Sequence, residues 1–227
     1  MTPLEQEIEA VKSELTNMWM LVQSQLNKAK EAITLYDKDI AHEVLVKEKR
    51  VNSFELKIDR DCENIFALYC PVAVDLRFLL AALKINTNIE RIGDIAAGIA
   101  KYVVDSPSNF DQAAMEKSGL IRMYEEAINI FADTRVAFEK EDTVLARSIF
   151  KRDDVLDVIN DNSPVTITEI IKSDSAALPE ALFILSIIRK LERVGDQSKN
   201  IAEEIIFYVE AKILKHAKSS GELTNED

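Results

Sequence analysis

The chain has 227 residues, with 28 Lys+Arg against 40 Asp+Glu and a formal net charge of −12. So acidic a chain repels nucleic-acid phosphates, which sets DNA and RNA aside as ligands, and 5 Gly and 5 Pro are too few to punctuate a sandwich or barrel. Its 47% hydrophobic content can build a core, and with 7% aromatic residues that core is expected to be aliphatic.

The N-terminal MTPLEQEIEA carries neither a basic nor an apolar signal region, so no signal peptide is expected. From Leu4 the apolar positions Ile8, Val11, Leu15, Met18, Val22, Leu26, Ala29 and Ile33 recur in steps of three and four, one face of a long helix. Tyr36-Asp37-Lys38-Asp39 interrupts it, and Asp39 is the expected N-cap of a second helix from about Ile40 to Tyr69. Val44, Val51, Phe54, Ile58, Ile65 and Leu68 are its predicted inner face, and Cys70-Pro71 ends it, because a residue before proline avoids the α region. Cys62 and Cys70 form no CxxC pair and read as small buried thiols in a reducing compartment.

A third helix runs from Pro71–Asp75 to about Val103, and DSPSNF (105–110) is the clearest linker. A fourth carries Leu120, Tyr124, Ile128, Phe131 and Phe138; Asp142 can cap a fifth carrying Leu145, Ile149 and Leu156, which Pro164 should kink or interrupt. A sixth extends from about Pro179 to Ala217, followed by a polar tail expected to be disordered. The longest apolar runs, 78–83 and 183–188, fall far short of the ~18 residues of a membrane span. The chain is therefore expected to be soluble and cytoplasmic.

An internal repeat is the strongest signal. At an offset of 102, LAALKINTNIERIGDIAAGIA lies over LFILSIIRKLERVGDQSKNIA. Amphipathicity alone explains the aliphatic matches but not E-R-[IV]-G-D twice. The expected fold is all-α: two tandem three-helix bundles with up-and-down, spectrin-like packing. The first spans residues 1–105, the linker 106–111, the second bundle 112–217 and the tail 218–227.

Within the repeat, Glu90 and Asp94 share one helix face, as do Glu192 and Asp196. Like charges at this spacing are locally unfavourable, and each pair brackets a helix glycine, Gly93 or Gly195, costing about 1 kcal/mol against alanine. Two local costs recurring in both halves point to a site. A helical hairpin turning near Pro71 places Glu48 and Asn52 opposite the first pair; in the second half the counterparts are Asp153 and Asp157. Glu55/Asp59 is a further acidic pair that could contribute to the site, although simple helix-surface charge is the favoured reading. His42 and His216 are the only histidines, so a metal site here must be built of oxygen donors, suited to Mg2+, Mn2+, Ca2+ or iron. Asn52 brings a neutral oxygen, so the first site should be weaker or differently occupied. No nucleophile–base set and no Gly-rich phosphate loop is present, which argues against an enzyme.

The residues P-V-A-V-D-L-R (71–77), N-I-E-R-I-G-D (88–94), R-D-D-V-L-D (152–157) and K-L-E-R-V-G-D-Q-S-K-N-I-A-E-E (190–204) resemble the PhoU family over nearly the whole chain, in order. That resemblance implies paired acidic motifs binding multinuclear metal clusters (Fe, Mn, Mg, Zn or Ca) in a cytoplasmic, often dimeric protein. Its ligands would be Glu90, Asp94, Asp153, Asp157, Glu192 and Asp196, with Glu48 and Asn52 beside them. It further implies a negative regulator of phosphate uptake and phosphate-starvation signalling, acting at the membrane face on the phosphate ABC transporter and its sensor histidine kinase. A metal-dependent phosphohydrolase and a purely structural helical scaffold are the alternatives.

Overall fold

The computed structural model describes residues 1–214. They form seven α-helices and no strand: α1 (Pro3–Leu35), α2 (Lys38–Tyr69), α3 (Ala73–Asp105), α4 (Gln112–Lys117), α5 (Leu120–Lys140), α6 (Thr143–Ser173) and α7 (Leu178–Glu210). Helices α1–α3 pack as one three-helix unit and α5–α7 as a second, each up-and-down. The short α4, set off from α5 by Gly119 at φ +74, was not foreseen as a separate element. The expected extension of the last helix is cut at Ala211, a left-handed C-cap; residues 215–217 and the polar tail lie outside the described residues, as does His216.

The same turn opens the second helix of each half. Tyr36 and Glu141 each adopt φ 51 to close a helix, and the following Asp37 and Asp142 each accept two backbone N–H bonds as N-cap. The cap is therefore Asp37 and not Asp39, whose own N–H is one of the donors. Aligning Asp37 with Asp142 would have located it.

Pro164 neither ends nor interrupts α6. Proline removes the N–H that would bond the carbonyl of Asn160, but the Ser163 hydroxyl donates to that carbonyl at 2.7 Å, and Thr168 Oγ1 donates to the Pro164 carbonyl at 2.7 Å. Pro164 itself faces solvent, so its ring meets no packed neighbour.

The two units share one continuous core, joined where α1 meets α5 and α3 meets α7. The core is largely aliphatic, yet the scarce aromatics gather at this seam. Trp19 of α1 sits 5.8 Å from Phe131 and 5.5 Å from Phe138 of α5, and donates its indole N–H to the Phe131 carbonyl. Phe78 of α3 meets Tyr208 of α7 edge-on at 5.6 Å. Aromatic pairs contribute about 0.5–1.5 kcal/mol each beyond area burial, so these rings add to the aliphatic packing that joins the halves. Leu68, expected to face inward, is 74% exposed in the last turn of α2, and Cys70 is exposed rather than buried. Cys62 is buried, and that burial pushes its thiol up to about 12.

Candidate functional site

The repeated glycines show how the acidic helices meet. A β-carbon on Gly93 of α3 would stand 3.2 Å from Val51 of α2 and 3.3 Å from Val22 of α1. On Gly195 of α7 it would overlap Asp153 Oδ1 and reach within 2.6 Å of Leu156 on α6. The bare helix surface at each glycine thus lets the neighbouring helix approach at the level of the E-R-[IV]-G-D motif. In the first half that space is filled by valines; in the second, by a carboxylate.

The second half places its four carboxylates within electrostatic reach of one another. Asp153 is fully buried, packed against Gly195, and Asp153 Oδ1 has no hydrogen-bond donor. Burial raises Glu192 above the usual carboxylate range, and Asp196, Asp157 and Asp153 push it the same way. One cation lies among them: Lys199 Nζ pairs with Asp153 Oδ2 and lies 2.9 Å from Asp196 Oδ1. Burial works against the Lys199 ammonium, but the two carboxylates outweigh it and hold its pKa above the ordinary lysine value. Asp153 is still raised, because its burial costs more than Lys199 returns.

In the first half Glu90 is half-buried and its carboxyl is pushed up to about 7, first by burial and then by Asp94 and Glu55. Glu55 is itself raised by burial, Asp59 and Asp94. Glu55 is thus the α2 carboxylate that bears on Glu90, whereas Glu48 lines a groove on the Asp94 side of the motif. Asp59 is held by Asn86, whose amide donates to Asp59 Oδ1 at 2.9 Å and to the Glu55 carbonyl at 3.0 Å, pinning α2 to α3. Asn52 Oδ1 is buried without a donor. At the repeat position of Lys199 stands Ala97, so this cluster lacks the lysine of the second half; Arg91 acts on Glu90 and Glu55 only as a weaker opposing charge.

Among the described residues, no group of three or more His, Cys, Asp or Glu side chains is arranged to hold a metal ion as it stands. The donor chemistry nonetheless suits a hard cation: both clusters are rich in carboxylate oxygens, and the buried acceptors Asp153 Oδ1 and Asn52 Oδ1 lack donors. Sequence reasoning missed Lys199, although it lies three residues after Asp196 in the quoted motif, on the same helix face.

A family model described as the PhoU domain matches residues 15–103 and again 120–205. Phosphate-specific transport system accessory protein PhoU of Escherichia coli strain K12 is 30% identical over 210 residues, spanning 92% of this chain and 86% of that protein. PhoU homolog 1 of Thermotoga maritima is 29% identical, spanning 93% and 90%. The crystal structure of PhoU from Pseudomonas aeruginosa superposes with a TM-score of 0.83 at 29% identity, covering 92% of this chain and 99% of that one. The phosphate transport system regulatory protein PhoU from Streptococcus pneumoniae gives 0.80 at 26% identity, covering 92% and 98%.

Proposed function

The chain belongs to the PhoU family, and from that membership we propose that it is a non-catalytic regulator of phosphate uptake. It would act negatively on the phosphate ABC transporter and its sensor histidine kinase when phosphate is plentiful. The observation that carries this reading is the match of both repeats to relatives named as accessory proteins of the phosphate-specific transport system. No helix among the described residues is long and apolar enough to cross a membrane, in keeping with action from the membrane face.

The paired carboxylates are assigned to cation binding: Glu90 and Asp94 with Glu48 and Asn52 in the first half, Asp153, Asp157, Glu192 and Asp196 in the second. A bound hard cation supplies positive charge that neutralises these side chains and ties α2 to α3 and α6 to α7. Lys199 already fills part of that role in the second half, so it must leave Asp153 and Asp196 before they can serve as ligands. Ala97 imposes no such competition, which makes the first cluster the more accessible despite its neutral Asn52. Deleting the gene tests the regulatory role. Phosphate uptake and alkaline phosphatase should rise in rich phosphate, and unaltered levels defeat it. Elemental analysis of wild type against Glu192→Ala/Asp196→Ala tests the metal assignment, which fails if metal content is the same.

A further inference from the structure

A groove of about 390 Å³ opens along the seam of α3 and α7. Its polar lining is Arg91 and Lys101 from α3, Lys190 and Arg193 from α7, and the carboxylates of Glu48 and Asp94. None of the four cations has an ion-pair partner or a hydrogen bond among the described residues. Among the lining side chains cations outnumber carboxylates four to two in a chain whose net charge is −12, with Asp94 acting on Lys190, and Glu90 and Glu55 near enough to feel Arg91. Lys190 is half-buried, folded over Gly98 and 5.6 Å from the Tyr102 ring centroid. A side chain at position 98 would collide with Lys190 Nζ, so Gly98 is what lets this ammonium lie in the groove.

The repeat shows that the groove is a departure, not a by-product of the fold. Exchange of the halves at the 102-residue offset turns Asn88 into Lys190 and Asn200 into Gly98. Asn88 and Asn200 touch through a long amide contact of 3.4 Å, and Lys190 and Gly98 touch likewise, so the α3–α7 crossing has a pseudo-two-fold axis. On the Asn88 side the polar groups are consumed internally: Lys199 by Asp153 and Asp196, Lys84 by Glu204. On the other side Ala97 and Gly98 replace Lys199 and Asn200, leaving open space, and the cations stay unpaired.

We propose that this groove binds a phosphate-type oxyanion between the two halves. Arginine presents a planar fork of donors matched to phosphoryl oxygens, and lysine adds point charge. The local surplus of cations in the lining suits an oxyanion such as hydrogen phosphate, and the volume lies in the range of small-ligand pockets, leaving room for a short polyphosphate. The choice of phosphate over other oxyanions rests on the regulatory reading above; the existence of an anion site does not. Because Asp94 belongs to both groove and carboxylate cluster, occupancy of one is felt at the other.

Calorimetric titration of the full chain with inorganic phosphate, tripolyphosphate and sulfate tests this, using wild type, Lys101→Gln/Lys190→Gln and Lys101→Glu. Lys101 is exposed, so its charge reversal leaves folding intact even if the double variant is impaired. Saturable binding of phosphate or tripolyphosphate is expected, weakened about tenfold in the double variant, since a hydrogen bond to a charged group contributes on the order of that factor. No binding of either, or unchanged affinity in the folded variants, overturns the site. Equal affinity for sulfate overturns the assignment to phosphate. Absent binding alongside intact gene-deletion phenotypes defeats the groove while leaving the regulatory role standing.

Discussion

Replacing Gly195 by alanine should destabilise the protein, against the ordinary expectation for a helix interior. By propensity the substitution favours the helix by about 1 kcal/mol. The new methyl, however, overlaps Asp153 Oδ1 and lies 2.6 Å from Leu156 Cδ1, and both side chains are fully buried. Overpacking of this kind costs about 1–3 kcal/mol. Pushing Asp153 aside also loosens its pairing with Lys199, and outright loss of a buried pair's partner costs about 3–5 kcal/mol. With a fraction of that last cost, the balance is a loss of about 2 kcal/mol, or roughly 4–8 °C in Tm at this chain length. Thermal and urea unfolding of wild type, Gly195→Ala, Asp153→Ala and the double variant measure it. Once Asp153 is cut back, Gly195→Ala should cost at least about 1 kcal/mol less, a coupling that a double-mutant cycle resolves. A Tm equal to or above wild type, or strict additivity, refutes the packing argument. Gly93→Ala is the control: its neighbours are methyls at 3.2 and 3.3 Å, so its effect should be much smaller.

Lys199→Met leaves Asp153 buried without its counter-ion and should cost about 3 kcal/mol at neutral pH. Its folded-state carboxyl, already raised by burial, then rises further, so the native state holds the proton more tightly than the unfolded chain; stability of this variant should recover as pH falls, and a pH-independent deficit speaks against it. In chelator, wild type should lose stability as pH rises from the ordinary carboxylate range through about 7, where Glu90 ionises beside Asp94 and Glu55. Glu90→Gln should flatten that slope in urea melts, and an unchanged slope refutes the assignment. Pro164→Ala restores a helix N–H at an exposed position and should stabilise by up to about 3 kcal/mol, while Ser163→Ala, which strips the Asn160 carbonyl of its donor, should cost about 1 kcal/mol; calorimetric melting checks both signs.

Most of the helical framework was legible because its signals are local. The three- and four-residue steps of α1, the pre-proline stop at Cys70 and the Asp142 cap depend on neighbours within a turn or two. Where a local rule failed, another local group had compensated: Ser163 answers for Pro164, and Asp37 caps what Asp39 was expected to cap. The 102-residue repeat likewise marked both E-R-[IV]-G-D motifs, while the contacts of Val51 with Gly93 and of Asp153 with Gly195 came only from the packed helices.

What needed three dimensions was the fate of each charge. Glu48 and Glu55 lie on the same helix within two turns, and periodicity gives no reason why Glu55 bears on Glu90 while Glu48 lines the basic groove. Nor does it say that Lys199 closes one cluster, or that Ala97 and Gly98 leave the matching space open beside four unpaired cations. A helical repeat fixes which residues share a face; the energy of a charge depends on burial and on partners from the other half of the chain, and those exist only once α3 and α7 have packed together.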